Sequence, residues 1–244
     1  MNSLVGAFAG AYAAMRFADI KERDKSALER LSATNSSVIL AAAIANHAMS
    51  FKKQLSMDIC DQYRTDRQRI QDFLDTGATE ANPFEIQYDF RSVNFFEHEG
   101  DELKSIVVRK TAAPEKTIMA TFQLSQSLHS LERIIEGRSS EIARLSKLKD
   151  QLNDDDFSKV YFGLPNADGN IDERFHDLVT ALHDLTDSVV FFSTYIANQL
   201  SKQSLSLAKE IGKKGPKAIV WSFEKLAPEH AALIPKAEDF PDWE

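Results

Sequence analysis

Apolar side chains recur along most of this chain at the three- and four-residue steps of a helix face. The most regular run is Ile171, Phe175, Leu178, Leu182, Leu185, Val189, Phe192 and Ile196, whose unbroken four-three repeat turns a continuous seam toward a partner helix. Gln199 and Gln203 carry the same register onward in polar form. A second seam runs through Leu124, Leu128, Leu131, Ile135, Ile142, Leu145 and Leu152; Arg138 falls on it directly after Gly137, and a kink or short turn at Gly137 would accommodate both. The two seams predict an antiparallel hairpin. Its link is residues 153–170, where an acidic run, GLP and NADGN mark a loop with room for one short helix. Association with another chain is the alternative partner for the later seam.

Upstream, Leu40, Ile44, Phe51, Leu55 and Ile59 keep helical spacing, and Ala41, Ala42, Ala45 and Ala48 allow close packing beside them, so residues 38–74 are expected to form a long helix. The polar cluster at residues 34–37 either caps that helix or lines a longer one. Residues 75–83 break the pattern with Gly, Asn and Pro. Two short stretches then alternate with a period of two, residues 84–90 and 218–223, and are expected to satisfy their backbones by pairing as a small sheet over one end of the bundle. Short helices are expected at 92–97 and 101–110, and Pro114 suits the first turn of the next long helix, with Thr111 as its cap. The seam helix should stop at the basic turn of Lys209, Lys213 and Lys214, beside Gly212, Gly215 and Pro216. The expected fold is mainly all-α: a long-helix bundle with an antiparallel coiled-coil-like hairpin and a minor two-stranded β element.

The first fifteen residues carry no charge, and Gly6, Gly10 and Ala14 lie on one helical face, a spacing that lets helices approach closely in lipid. At 1.5 Å per residue such a run covers about 22 Å, against about 30 Å of hydrocarbon. Arg16 can snorkel outward, and Tyr12 and Phe17 are suitable interfacial rings, which extends the reach. Nothing basic precedes the run, whereas Arg16, Lys21, Arg23, Lys25 and Arg30 follow it, so the positive-inside bias holds the body on the cytoplasmic side. The alternative is an Ala/Gly-rich helix packed in a protein core. The expected organisation is a membrane anchor over residues 1–18, a charged connector over 19–34, a helical bundle domain over 35–226 and an extended or disordered tail over 227–244.

Composition narrows the chemistry. A formal charge of −8 argues against a nucleic-acid surface, which needs an excess of Lys and Arg to displace counterions. The lone cysteine, Cys60, excludes an internal disulfide and a thiolate metal cage, and its acidic neighbours would raise its pKa. Glu173 and His176 make a Glu-x-x-His step, the spacing used twice in di-iron carboxylate bundles, but it occurs once here. The pair is therefore expected to sit on the surface beside Phe175, and His183 with Asp172, Asp184 and Asp187 to form a solvated face. GLPNADGN lacks the Lys and the preceding strand of a phosphate loop, and Asp154, Asp155 and Asp156 lack the spacing of a calcium loop. Arg64, Arg67 and Arg69 alternate with Asp61, Asp66 and Asp72. No catalytic residue, cofactor or metal is expected.

The order of features, with GAFAGAYAAMRFADIKERDK leading into AAAIANHAMSFKKQL, resembles a loose group of uncharacterised bacterial proteins that have a short N-terminal membrane anchor, a basic exit and a helical body closing with a heptad-like helix and a short strand. The resemblance implies attachment to the bacterial inner membrane, with the N-terminus out and the body cytoplasmic, and it implies no activity. Two functions fit. One is a membrane-anchored helical interaction or scaffold protein that meets the lipid bilayer through residues 1–18 and engages a protein partner or itself. The other is a soluble, cytoplasmic helical effector or sensor subunit of a bacterial stress or phage-defence system.

Overall fold

A computed structural model describes the backbone of residues 2–76, 86–212, 215–222 and 228–243, and the side chains of the same residues apart from 2–14 and 76. The first helix, α1 (Asn2–Phe51), runs for 50 residues without interruption. The polar cluster lines it and does not cap it: Thr34 Oγ1 donates to the Arg30 carbonyl at 2.8 Å, back within the same helix. A π-helical turn, Lys52–Ser56, inserts before α2 (Met57–Thr76). The remaining helices are α3 (Gly100–Lys110), α4 (Glu115–Lys149), α5 (Asp154–Phe162), α6 (Arg174–Ile211) and α7 (Pro228–Ala231). The fold is all-α, and among the described residues there is no strand.

The chain divides into two units, one of residues 1–43, 99–122 and 193–226, the other of residues 44–98, 123–192 and 227–244; α1, α4 and α6 each contribute to both. In the first, Ala27, Leu31, Thr34, Val38 and Ala41 form the buried stripe of α1, and Leu103 and Val107 of α3 with Ile196, Leu200 and Ser204 of α6 are buried in the same unit. Buried small hydroxyls are frequent here (Ser37, Thr111, Thr121, Ser193, Ser201), which lets helices pack closely, and those of Thr111, Thr121 and Ser201 bond back to their own helix. Thr111 Oγ1 donates to the Val107 carbonyl at 2.8 Å, so it closes α3 and does not cap α4. Gln203, the polar continuation of the α6 seam, donates from Nε2 to the Thr111 carbonyl at 2.7 Å and so satisfies an orphan acceptor where α3 ends.

Among the described residues the expected sheet does not form, and the reason is where the backbone bonds go. Residues 215–222 are irregular, and one side-chain amide does the work of a neighbouring strand. Asn35 Nδ2 donates to the Lys217 carbonyl at 3.0 Å, and Asn35 Oδ1 accepts from the Ile219 N–H at 2.9 Å and from Ser204 Oγ at 2.6 Å. Ser201 Oγ accepts from the Trp221 N–H at 2.9 Å. Residues 84, 85 and 223 of the two expected strands lie outside the described residues.

The second unit contains the predicted hairpin. A Cβ built on Gly137 of α4 would lie 3.1 Å from Leu178 Cδ2 of α6, and Arg144 lies 3.0 Å from Asp172, so higher positions on one helix meet lower positions of the other, as antiparallel packing requires. The expected kink at Gly137 does not occur, because α4 continues through it; the glycine makes room for Leu178. Arg138 stays on the seam, only 1% exposed. Its guanidinium donates to the Arg91 carbonyl at 2.6 Å and the Asp89 carbonyl at 3.4 Å, and lies over the Phe175 ring at 5.8 Å. Tyr161 Oη accepts from the Asp89 N–H at 2.9 Å. Residues 86–98 therefore form neither the strand nor the short helix expected of them; side chains of α4 and α5 fix the backbone at residues 89–91, and His47 of α1 meets the Glu97 carbonyl at 3.2 Å.

The short helix that residues 153–170 had room for is α5. The Asn153 side chain accepts from the Asp156 N–H, and Gly163 ends the helix at φ +60°, its N–H bonded to the Lys159 carbonyl. The C-terminal residues form a strap of short helical turns: Phe240 stacks on Phe191 with ring centres 3.9 Å apart, Trp243 meets Phe192 edge-on at 5.0 Å, and Leu233 is buried.

Candidate functional site

Glu173 and His176 are placed at the start of α6 but do not converge with other ligands. Glu173 is exposed just before the first helical residue, and its carbonyl accepts from the Asp177 N–H at 2.8 Å. His176 is half-buried against the Tyr63 ring at 5.8 Å; burial, and then the Arg67 cation, push its imidazole below the usual histidine range, toward the neutral form. Asp172 is engaged by Arg174 at 2.5 Å and Arg144 at 3.0 Å, and the Arg174 hydrogen bond pulls its carboxyl down against the effect of burial. Among the described residues no three His, Cys, Asp or Glu side chains come together as a metal site.

His183 and Asp187 are not a solvated face. Asp187 lies 2.6 Å from Lys52 Nζ and 3.8 Å from His183 Nε2, and the Lys52 ammonium also donates to the Leu233 carbonyl of the C-terminal strap at 3.0 Å. Lys52 continues the buried stripe of Ala41, Ala45 and Ala48 at ordinary helical spacing, so the lysine at the start of the π-turn is buried and meets a carboxylate. Cys60 is 1% exposed, and burial is the main cause that raises its thiol pKa, so the thiolate is disfavoured. Arg67 donates from Nε to the Phe162 carbonyl at 2.9 Å, a structural use of one of the three clustered arginines.

Two surface features are left. The first is the outer part of α1. Residues 15–26 are exposed without exception, and the apolar Met15, Phe17 and Ile20 reach 67%, 75% and 55% exposure. The Gly6, Gly10 and Ala14 face lies outside the described side chains. Among the described residues no helix is long and apolar enough to cross a membrane, because the charged residues from Arg16 onward follow the uncharged run too soon.

The second is a groove of about 600 Å³ in the first unit, between the outer flank of α1 and the end of α3. Ser26, Arg30, Ala33 and Ser36 recur along α1 at three- and four-residue steps, and the small members leave the space. Arg109 and Lys110 come from the last turn of α3, where cations suit the negative end of a helix. Arg30 Nε is buried and makes no hydrogen bond. Sequence reasoning treated Arg30 as part of a charged connector and left Arg109 and Lys110 in a short helix about eighty positions away; no local signal joins them. Comparison of the chain with family models, with curated proteins and with solved structures returned no match to any of them.

Proposed function

We propose that this chain is a helical interaction protein without catalytic chemistry, held against a lipid bilayer through residues 1–18, its body on the cytoplasmic side of a bacterial inner membrane and available to a protein partner or a second copy of itself. The observation that carries the reading is the outer part of α1: the helix continues past everything it packs on in the described chain, keeping Met15, Phe17 and Ile20 in water. Water does not favour that arrangement, since an unpacked helical segment has little stability of its own and three exposed apolar side chains gain free energy only when something covers them. The uncharged residues before Met15 match an apolar phase, and the charged residues of both signs after it match the polar headgroup region. The fifteen-residue run fits shallow or tilted insertion better than a full upright span, and the resemblance to anchored bacterial proteins agrees with attachment. Carbonate washing of membranes from cells expressing the full chain should leave the protein in the pellet; release into the supernatant would remove the anchor.

A second reading, a helical effector or sensor subunit that works off the membrane in a stress or phage-defence system, is favoured by the finding that no helix among the described residues is long and apolar enough to cross a bilayer. On that reading the purified chain stays monodisperse without detergent, which the first reading does not expect.

A further inference from the structure

The groove between α1 and α3 holds a charge arrangement that the fold does not use. Arg30, Arg109 and Lys110 line it together, and among the described residues none of the three meets a carboxylate. Glu29 also lines the groove, 4.0 Å from the exposed Lys25, so the lining carries three cations and one carboxylate. Three cations against one carboxylate leave the concavity net positive, so an anion that shares the space is favoured. Arg30 is partly buried, and its Nε is a buried donor with no acceptor among the described residues. Ser26 and Ser36 place hydroxyls along the same wall, where they can donate to an oxyanion as they cannot to a guanidinium. The space, about 600 Å³, is within the range of small-ligand sites and exceeds what an inorganic ion needs.

We infer that this groove binds a phosphate-bearing ligand, with Arg30 and Arg109 as the forked donors, Lys110 as a point charge and Ser26 and Ser36 as hydroxyl donors. Guanidinium groups match phosphate oxygens in a two-point geometry, and the net positive charge left after Glu29 still exceeds the single negative charge of a carboxylate, so a phosphate or phosphate ester is the better-matched anion. The ligand is either a free organic phosphate or the headgroup of a phospholipid. The inference stands on the groove and not on the lipid reading of residues 1–18, because the free ligand needs no membrane.

Calorimetric titration of the purified full chain with inorganic pyrophosphate tests the site without lipid. Saturable binding is expected, weakened about tenfold or more by the double variant Arg109→Gln with Lys110→Gln and unchanged by Lys202→Gln, which removes a charge from an exposed α6 position outside the groove. Arg109 and Lys110 are exposed, so the double variant keeps the fold, as its thermal midpoint will verify; Arg30→Gln, at a partly buried position, is the supporting variant. A parallel arm measures retention on phosphatidylcholine vesicles with and without phosphatidic acid. Pyrophosphate binding with unaltered vesicle retention in the double variant identifies a free phosphate. Retention that depends on phosphatidic acid, is lost in the double variant and is competed by pyrophosphate identifies a headgroup. If wild type and double variant behave alike in both arms, the inference is overturned.

Discussion

From Ala27 to Phe51, α1 buries a stripe of small and apolar residues, Leu31, Thr34, Val38, Ala41, Ala45 and Ala48 among them, each close to zero exposure; from residue 15 to residue 26 the same helix buries nothing. The backbone geometry is common to both stretches, so the difference lies in what pays back the loss of chain entropy. In the inner stretch it is core packing, which dominates helical stability in proteins. In the outer stretch it is propensity and charge pairs, worth a few tenths of a kcal/mol each. A helix that persists where nothing described in its own fold covers it is the ground on which we propose an outside partner, and the uncharged run before Met15 is the ground on which we propose that this partner is a lipid surface.

Substitutions along α1 sharpen this contrast. The largest effect is expected at Leu31, fully buried in the inner stripe: Leu31→Ala should cost about 2–5 kcal/mol by chemical denaturation, as a cavity in a packed core does. Phe17→Ala with Ile20→Ala, equally apolar changes on the outer stretch, should leave stability within about 0.5 kcal/mol while lowering retention on vesicles; a core-sized loss of stability would show that residues 15–26 pack after all. Between these stands Asn35→Ala. It removes two bonds to the 217–219 backbone and one to Ser204, and should cost about 2 kcal/mol or more, with faster amide exchange at Ile219. Unchanged exchange at Ile219 would refute the clamp.

Much of this was legible in the chain because it is written in local pattern. The unbroken steps from Phe175 to Ile196 gave the buried side of α6, and the turn chemistry of residues 153–170 marked a loop with room for the short helix α5. What failed shares one physical cause. Alternation at residues 86–90 and 218–222 reports extended chain with one side covered, but it does not say whether the backbone bonds go to another strand or to a side chain. Here they go to Tyr161 and Arg138 for the first and to Asn35 and Ser201 for the second. Arg138 on an apolar seam looked like an interruption for the same reason: its acceptors are carbonyls about fifty positions earlier. The groove was hidden because Arg30 and Arg109 each have an ordinary local explanation, and only the packing of α3 on α1 makes them neighbours of one cavity.

Hydrogen–deuterium exchange read peptide by peptide along α1, with and without vesicles of phosphatidylcholine and phosphatidylglycerol, tests the central claim most directly. Without lipid, residues 27–51 should be protected and residues 15–26 should exchange rapidly, as an unpacked helix end does; with vesicles, protection should extend from residue 26 back through the first turns of the chain. Protection of residues 15–26 in dilute, lipid-free protein, or an outer stretch indifferent to vesicles, would contradict the account.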